Sequence, residues 1–178
     1  EIGVRLVGSE MCIRDRIYFP REVIPISYVT SAFVNMLFSF IIVFLAVLVS
    51  GFGFHLRTLV YLPLIMVIQY LLCLGVAFIV SAITVYFRDM EQIMGVVMMA
   101  WIYVTPVMYN MDYVPEKYRS LIVLNPMTPI VEVYHQILYY RITPTPNYLI
   151  LATGVSVAVF VIGFVVFGLL DRNFAEEL

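Results

Sequence analysis

Long runs without a charged residue dominate the pattern of this chain. Asp, Glu, Lys and Arg are absent from 23–56, 58–87, 92–111 and 142–170, stretches of 34, 30, 20 and 29 residues. A helix needs about 20 mostly apolar residues to cross a bilayer. Each run therefore predicts a spanning helix, and we place the spans at about 28–49, 59–86, 93–109 and 148–170. Four spans are an even number, so the two flanks fall on the same side.

Polar and small residues inside the runs say how the spans could pack. Ser31, Asn35 and Ser39 recur every four residues and share one face of the first span. In lipid such a stripe turns either to a neighbouring helix or to a wet pathway. GFGF (51–54) ends that span. Pro63 stands early in the second span, where the missing N–H does little harm. Gly75, Ser81 and Ala82 allow close helix approach there. In the last span Gly154, Gly163 and Gly168 suggest either close packing or a lipid-facing helix with gaps. The third span is short and carries Pro106 near its end. Trp101, Tyr103 and Tyr109 lie in its second half, either as part of an interfacial belt or as the aromatic lining of a polar tunnel. Sugar rings stack their C–H faces on such side chains.

The stretch 112–147 is the least membrane-like. Pro115, Pro126, Pro129, Pro144 and Pro146 break it up, yet it keeps apolar patches. Thr128 is a candidate cap for a helix starting at Pro129. The twelve residues 129–140 are too few to span and suit a re-entrant or interfacial helix. Glu132, its one acidic residue, either faces a tunnel or points to water.

Composition narrows the function classes. Of 178 residues, 63% are hydrophobic and only 12% charged, the latter under half of the roughly 25% usual in globular domains. A water-soluble enzyme is thereby nearly excluded. The net charge is −2 and basic residues form no tract, which removes nucleic acid as a partner. Cys12 and Cys73 suggest neither a disulfide framework nor a metal site. No phosphate loop of the GxxxxGK(S/T) type and no nucleophile–base set is visible. Residues 1–16 look like a foreign segment, with VGSEMCIRDR resembling translated adapter sequence. Charge counting on the connections leaves orientation open.

Four motifs then line up in order: FPREVIP (19–25), SAITVYFRD (81–89), WIYVTPVMY (101–109) and LNPMTPIVEVY (124–134). Together they resemble the permease subunit of ABC-2 type exporters of polysaccharides, such as O-antigen, capsule or teichoic-acid chains, over about 17–178. The resemblance implies an all-α membrane protein: part of an ABC-2 exporter transmembrane domain, with four spanning helices and short re-entrant or interfacial helices before the last. The family permease usually has six membrane helices, so the first two are expected to precede this stretch. A bacterial inner-membrane location is implied, with Phe19, Pro20, Arg21, Glu22, Arg88, Asp89 and the C-terminus cytoplasmic. Those six residues are implied near an ABC ATPase subunit present in two copies. The chain itself is expected to bind no cofactor, ATP and Mg belonging to that subunit. A permease homodimer, membrane lipids and a lipid-linked glycan complete the implied partners. Our candidate pathway residues are Trp101, Tyr103, Tyr109 and Tyr134, and our candidate gate is Asn125, Pro126, Pro129 and Glu132. A related exporter of drugs or other small amphiphiles is the alternative.

Overall fold

The computed structural model describes residues 22–49, 56–87, 89–109 and 111–173. The segment 1–16, Phe19, Pro20, Arg21, Arg88 and the GFGF stop lie outside the described residues. Regular structure among the described residues is helical: α1 (Val23–Val49), α2 (Leu56–Leu59), α3 (Leu62–Thr84), α4 (Met90–Val104), a 3₁₀ turn (Met111–Tyr113), α5 (Glu116–Leu124), α6 (Thr128–Tyr134), a π turn (His135–Tyr139) and α7 (Pro146–Asn173). Among the described residues three helices are long and apolar enough to cross a membrane, and α4 is a shorter apolar helix of 15 residues.

The boundaries differ from expectation for local reasons. The first span begins at Val23, before Tyr28, because Pro25 falls in the first turn, where its missing N–H would have had no intrahelical partner. The second divides into α2 and α3 around Val60 and Tyr61, and α3 enters with Pro63 in its first turn. The third starts at Met90 and stops at Val104, short of Tyr109. Thr105 precedes Pro106 and is forced into extended backbone, φ −85° and ψ 132°. Pro146 opens α7 from within the stretch read as re-entrant. Thr128 is no cap: it already belongs to α6, and its hydroxyl donates instead to the Ile122 carbonyl at 2.6 Å.

The most extensive pairing joins α3 to α7. Ala152 packs with the first half of α3, Gly163 meets Gly75, and Phe167 meets Phe78, so the two helices run in the same direction. A Cβ on Gly75 would lie 2.6 Å from the Phe160 nitrogen, and one on Gly163 would fall on the Gly75 carbonyl oxygen. Only glycine fits either position. Ser156 lies on the same stripe, fully buried, with no hydrogen-bond partner for its Oγ. Its small size, not its hydroxyl, suits the seam.

Two cores follow. Leu62, Ile65, Met66, Ile68 and Leu72 of α3 gather with Ile130 and Val133 of α6, Ile137 of the π turn, and Ala152. Further along, Leu74, Phe78, Ala82 and Phe167 form the second. The helix α1 lies antiparallel to α3: Val29 borders the second core, while Phe40 and Phe44 border the first. Since α6 packs on the beginning of α3, the chain leaving α3 at Thr84 must return along its length. That task falls to α4 and to 105–109. A 23-residue helix is roughly 34 Å long and a 15-residue one roughly 22 Å. The extended Thr105 and the turn that follows it contribute to the remainder. Glu22, Asp89 and the end of α7 therefore share one end of the bundle, and 111–145 occupies the other.

Candidate functional site

The region from the end of α4 to the start of α7 is tied by polar side chains reaching backbone groups, beside the apolar anchor that Ile130, Val133 and Ile137 make in the first core. After Thr105 breaks α4, its hydroxyl donates to the Trp101 carbonyl at 2.9 Å. The same oxygen accepts the Asn125 Nδ2 amide at 2.8 Å. Asn125 ends α5, and its Oδ1 accepts the Met127 N–H at 3.0 Å, an Asx turn that leads the chain into α6. Its own carbonyl accepts the Thr128 N–H at 3.1 Å. Thr105 and Asn125 are both buried, at 2% and 7% exposure, so neither has water to fall back on.

Beyond α6 the helix widens into the π turn and ends at Arg141, whose φ is 55°. The Ile142 N–H reaches back to the Gln136 carbonyl at 3.0 Å and the Tyr140 N–H to that of His135 at 2.9 Å. This return crosses a left-handed residue and is one residue longer than a Schellman bond, because the π turn has already widened the helix. Buried Gln136 then accepts both the N–H and the hydroxyl of Thr145, at 2.8 and 2.9 Å, fixing the entry to α7.

The candidate pathway aromatics do not converge on one spot. Tyr134 stacks on Phe40 of α1 with centroids 5.9 Å apart and donates its hydroxyl to Gln69 of α3 at 2.7 Å. Burial pushes its phenol above the ordinary tyrosine range, so it stays a donor. Trp101 and Tyr103 instead stand outward on α4, which buries no residue. The Tyr109 hydroxyl folds back on the carbonyls of Tyr103 and Val104, at 3.2 and 3.3 Å. Among the gate candidates, Asn125 and Pro129 are buried, while Pro126 and Glu132 are partly exposed. Of the partner-contact candidates described, Glu22 precedes α1 and exposed Asp89 precedes α4, at the opposite end.

The serine–asparagine stripe of α1 faces out. Ser31 and Asn35 join Ser27 and Thr30 along an open depression of about 530 Å³, and the Ser39 hydroxyl donates to the Asn35 carbonyl at 3.0 Å. Thr30 also meets the Tyr70 hydroxyl at 2.9 Å. A smaller cavity of about 320 Å³ lies between α1 and α3, bordered by Phe33, Gln69, Tyr70 and Cys73. No group of three or more His, Cys, Asp or Glu suited to a metal occurs among the described residues. Thr105, Gln69 and Gln136 escaped sequence reasoning. A lone amide in an uncharged run, as at Gln69, was the available signal. Thr105 offered none beyond its place before a proline.

Residues 13–139 match the family model described as ABC-2 type transporter. Two O-antigen export system permease proteins RfbA from Klebsiella pneumoniae are similar, at 29% and 28% identity over 160 residues. Each alignment covers 90% of this chain and 61% of the relative. The RfbA permease of Myxococcus xanthus is 28% identical over 184 residues, covering 99% of this chain and 68% of the relative. The chain thus spans about three fifths of the Klebsiella proteins' length.

Proposed function

The chain belongs to the ABC-2 type transporter family, and from that premise we propose that it is part of a permease that exports a lipid-linked polysaccharide across the bacterial inner membrane. The observation that carries this reading is the similarity to O-antigen export permeases along 90% or more of the chain. The protein is a multi-pass membrane protein, and its role is transport, with the chemistry in a separate ATPase subunit. Two copies of that ATPase would act on a permease dimer and would hold ATP and Mg. They would meet the end of the bundle that carries Glu22, Asp89 and the end of α7, which makes that end cytoplasmic. Phe19, Pro20, Arg21 and Arg88 flank the same segments and belong to this proposed contact.

Transport of a hydroxyl-rich chain needs a wet path with weak, repeated contacts. Supporting its placement along α4, that helix buries none of its side chains within the chain and turns Trp101 and Tyr103 outward. A second permease copy facing α4 would complete the path. Tyr109 and Tyr134 would border it at the outer end, beside the gate formed by Asn125, Pro126, Pro129 and Glu132.

Deleting the full-length permease should abolish surface glycan, and restoring it should bring the glycan back. Glycan that persists after deletion would refute the reading, and selective loss of drug efflux would favour a small-amphiphile exporter. Trp101→Ala with Tyr103→Ala should cut export by about thirtyfold, since each aromatic stacking contact is worth about 1 kcal/mol, while permease abundance stays unchanged. Wild-type glycan amount and length in the double variant would remove α4 from the path.

A further inference from the structure

We propose that Asn125 is a positioning residue: through Thr105 it latches the α5–α6 pair to the outer end of α4, and so sets where Trp101 and Tyr103 stand. The inference rests on the export reading given above and deepens it by naming what holds the outer end of the path.

The amide of Asn125 does two jobs with two atoms. Oδ1 closes the turn into α6 by accepting the Met127 N–H at 3.0 Å. Nδ2 reaches twenty residues back to the Thr105 hydroxyl at 2.8 Å. Thr105 passes the link on, its hydroxyl donating to the Trp101 carbonyl at 2.9 Å. The carbonyl of Trp101 also accepts the Thr105 N–H at 2.9 Å. One continuous path of hydrogen bonds thus runs from the start of α6 to the last turn of α4. Asn125 and Thr105 are 7% and 2% exposed, so a broken link leaves a buried donor unsatisfied.

Little else restrains α4 in this way. It buries no residue, whereas α6 is anchored by Ile130 and Val133 in the first core. A helix without packed side chains takes its position from its ends. At this end the tie is Thr105, placed at the break that Pro106 imposes. Asn125 therefore touches no substrate; it acts through Thr105 on the aromatics one turn away.

The test uses the full-length permease in lipid nanodiscs, lacking native cysteines and spin-labelled at Ile102 and Tyr118, which are 54% and 52% exposed. With labelled permease diluted into an excess of unlabelled permease, so that one copy of a dimer carries both labels, wild type and Thr105→Ser, which keeps the hydroxyl, should give one narrow label-to-label distance. Thr105→Val, of similar shape without the hydroxyl, should broaden or shift it, as should Asn125→Ala. Adding Thr105→Val to Asn125→Ala should add little to the distance change, because Asn125→Ala has already cut the link to Thr105. In cells, Thr105→Val should lower glycan export per permease molecule about five- to tenfold, an effect of hydrogen-bond size, and Thr105→Ser should restore it. Unchanged distances in both Thr105→Val and Asn125→Ala overturn the latch, whatever the protein transports. Broadened distances with wild-type export per molecule overturn its positioning role. Export lost only in proportion to permease abundance does the same, because it marks a folding defect. Should wild type export no glycan, the export reading fails while the distances still decide the latch.

Discussion

The α3–α7 pair and the outer region from Thr105 to Thr145 are stabilised by different physics. Between α3 and α7 the fit is steric: glycine faces backbone at Gly75 and Gly163, and Phe78 sits among Phe160, Phe164 and Phe167 with centroids 5.4 to 6.2 Å apart. In the outer region the ties are mostly side chain to backbone, at Asn125, Thr128, Gln136 and Thr145. The difference follows from solvent. Lipid gives apolar helices no reason to associate beyond close contact, so packing must supply it. Irregular backbone at the other end exposes N–H and C=O groups that hydrocarbon cannot satisfy, so polar side chains must.

The steric half of this comparison predicts the largest effect. Gly163→Ala puts a methyl group onto the Gly75 carbonyl, a backbone atom that cannot rotate away. The helices must separate, at a cost of about 3 kcal/mol or more. Unfolding of the full-length permease in detergent should show it as a large drop in midpoint and in membrane abundance. Gly154→Ala and Gly168→Ala are the matched controls, because a Cβ at either position meets nothing within 4 Å. Each should stay near wild type, or gain slightly from the helix propensity of alanine. Equal losses at Gly163 and Gly154 would show that the seam is not steric.

The same glycines mark how far the sequence could be read. Uncharged runs locate the long helices because a membrane leaves charged residues few places to go. Glycine at 75 and 163 correctly suggests close approach, but so does glycine at 154 and 168, where no neighbour comes near. Composition says that a helix can be approached, not which carbonyl approaches it. The end of α4 is legible at Pro106 only once proline's restriction on Thr105 outweighs the apolar run that continues to Tyr109. At 128 a threonine before a proline offers two hydrogen-bonding roles, and the choice depends on where Ile122 lies in space. Tyr134 stands out by placement, yet its partner Gln69 is 65 residues away. The sequence motifs carry the family, while two of the contacts that tie the candidate site to other helices, Asn125 to Thr105 and Tyr134 to Gln69, span 20 and 65 residues.

Tyr134 joins the two regions and gives the intermediate effect. Tyr134→Phe keeps the stack on Phe40 and removes only the hydroxyl bond to Gln69. The loss should be about 1 kcal/mol, with Gln69 left holding a half-buried amide. Gln69→Leu alone strands the phenol instead. The double variant should recover part of the loss, because both partners of the bond are then gone. Strict additivity in detergent unfolding would mean that the bond contributes nothing to holding α6 against α3.

The smallest effect belongs to the backbone of the outer region, and it isolates conformation from contacts. Arg141 holds φ at 55°, a left-handed geometry that costs a side-chain-bearing residue roughly 1–2 kcal/mol and glycine almost nothing. The geometry is imposed because the Ile142 N–H must turn back to the Gln136 carbonyl, and Gln136 is itself committed to Thr145. Replacing Arg141 also removes whatever its guanidinium touches, so the useful comparison is between two replacements that both lack it. Arg141→Gly should be more stable than Arg141→Ala by about 1 kcal/mol in detergent unfolding. Gly163→Ala adds a Cβ where there is no room for it; here alanine keeps a Cβ where there is room but the wrong dihedral angle. If Ala proves as stable as Gly at 141, the left-handed stop is not what fixes the way into α7. The Gln136 amide would then have to hold that junction alone, and Gln136→Leu would become the more damaging change.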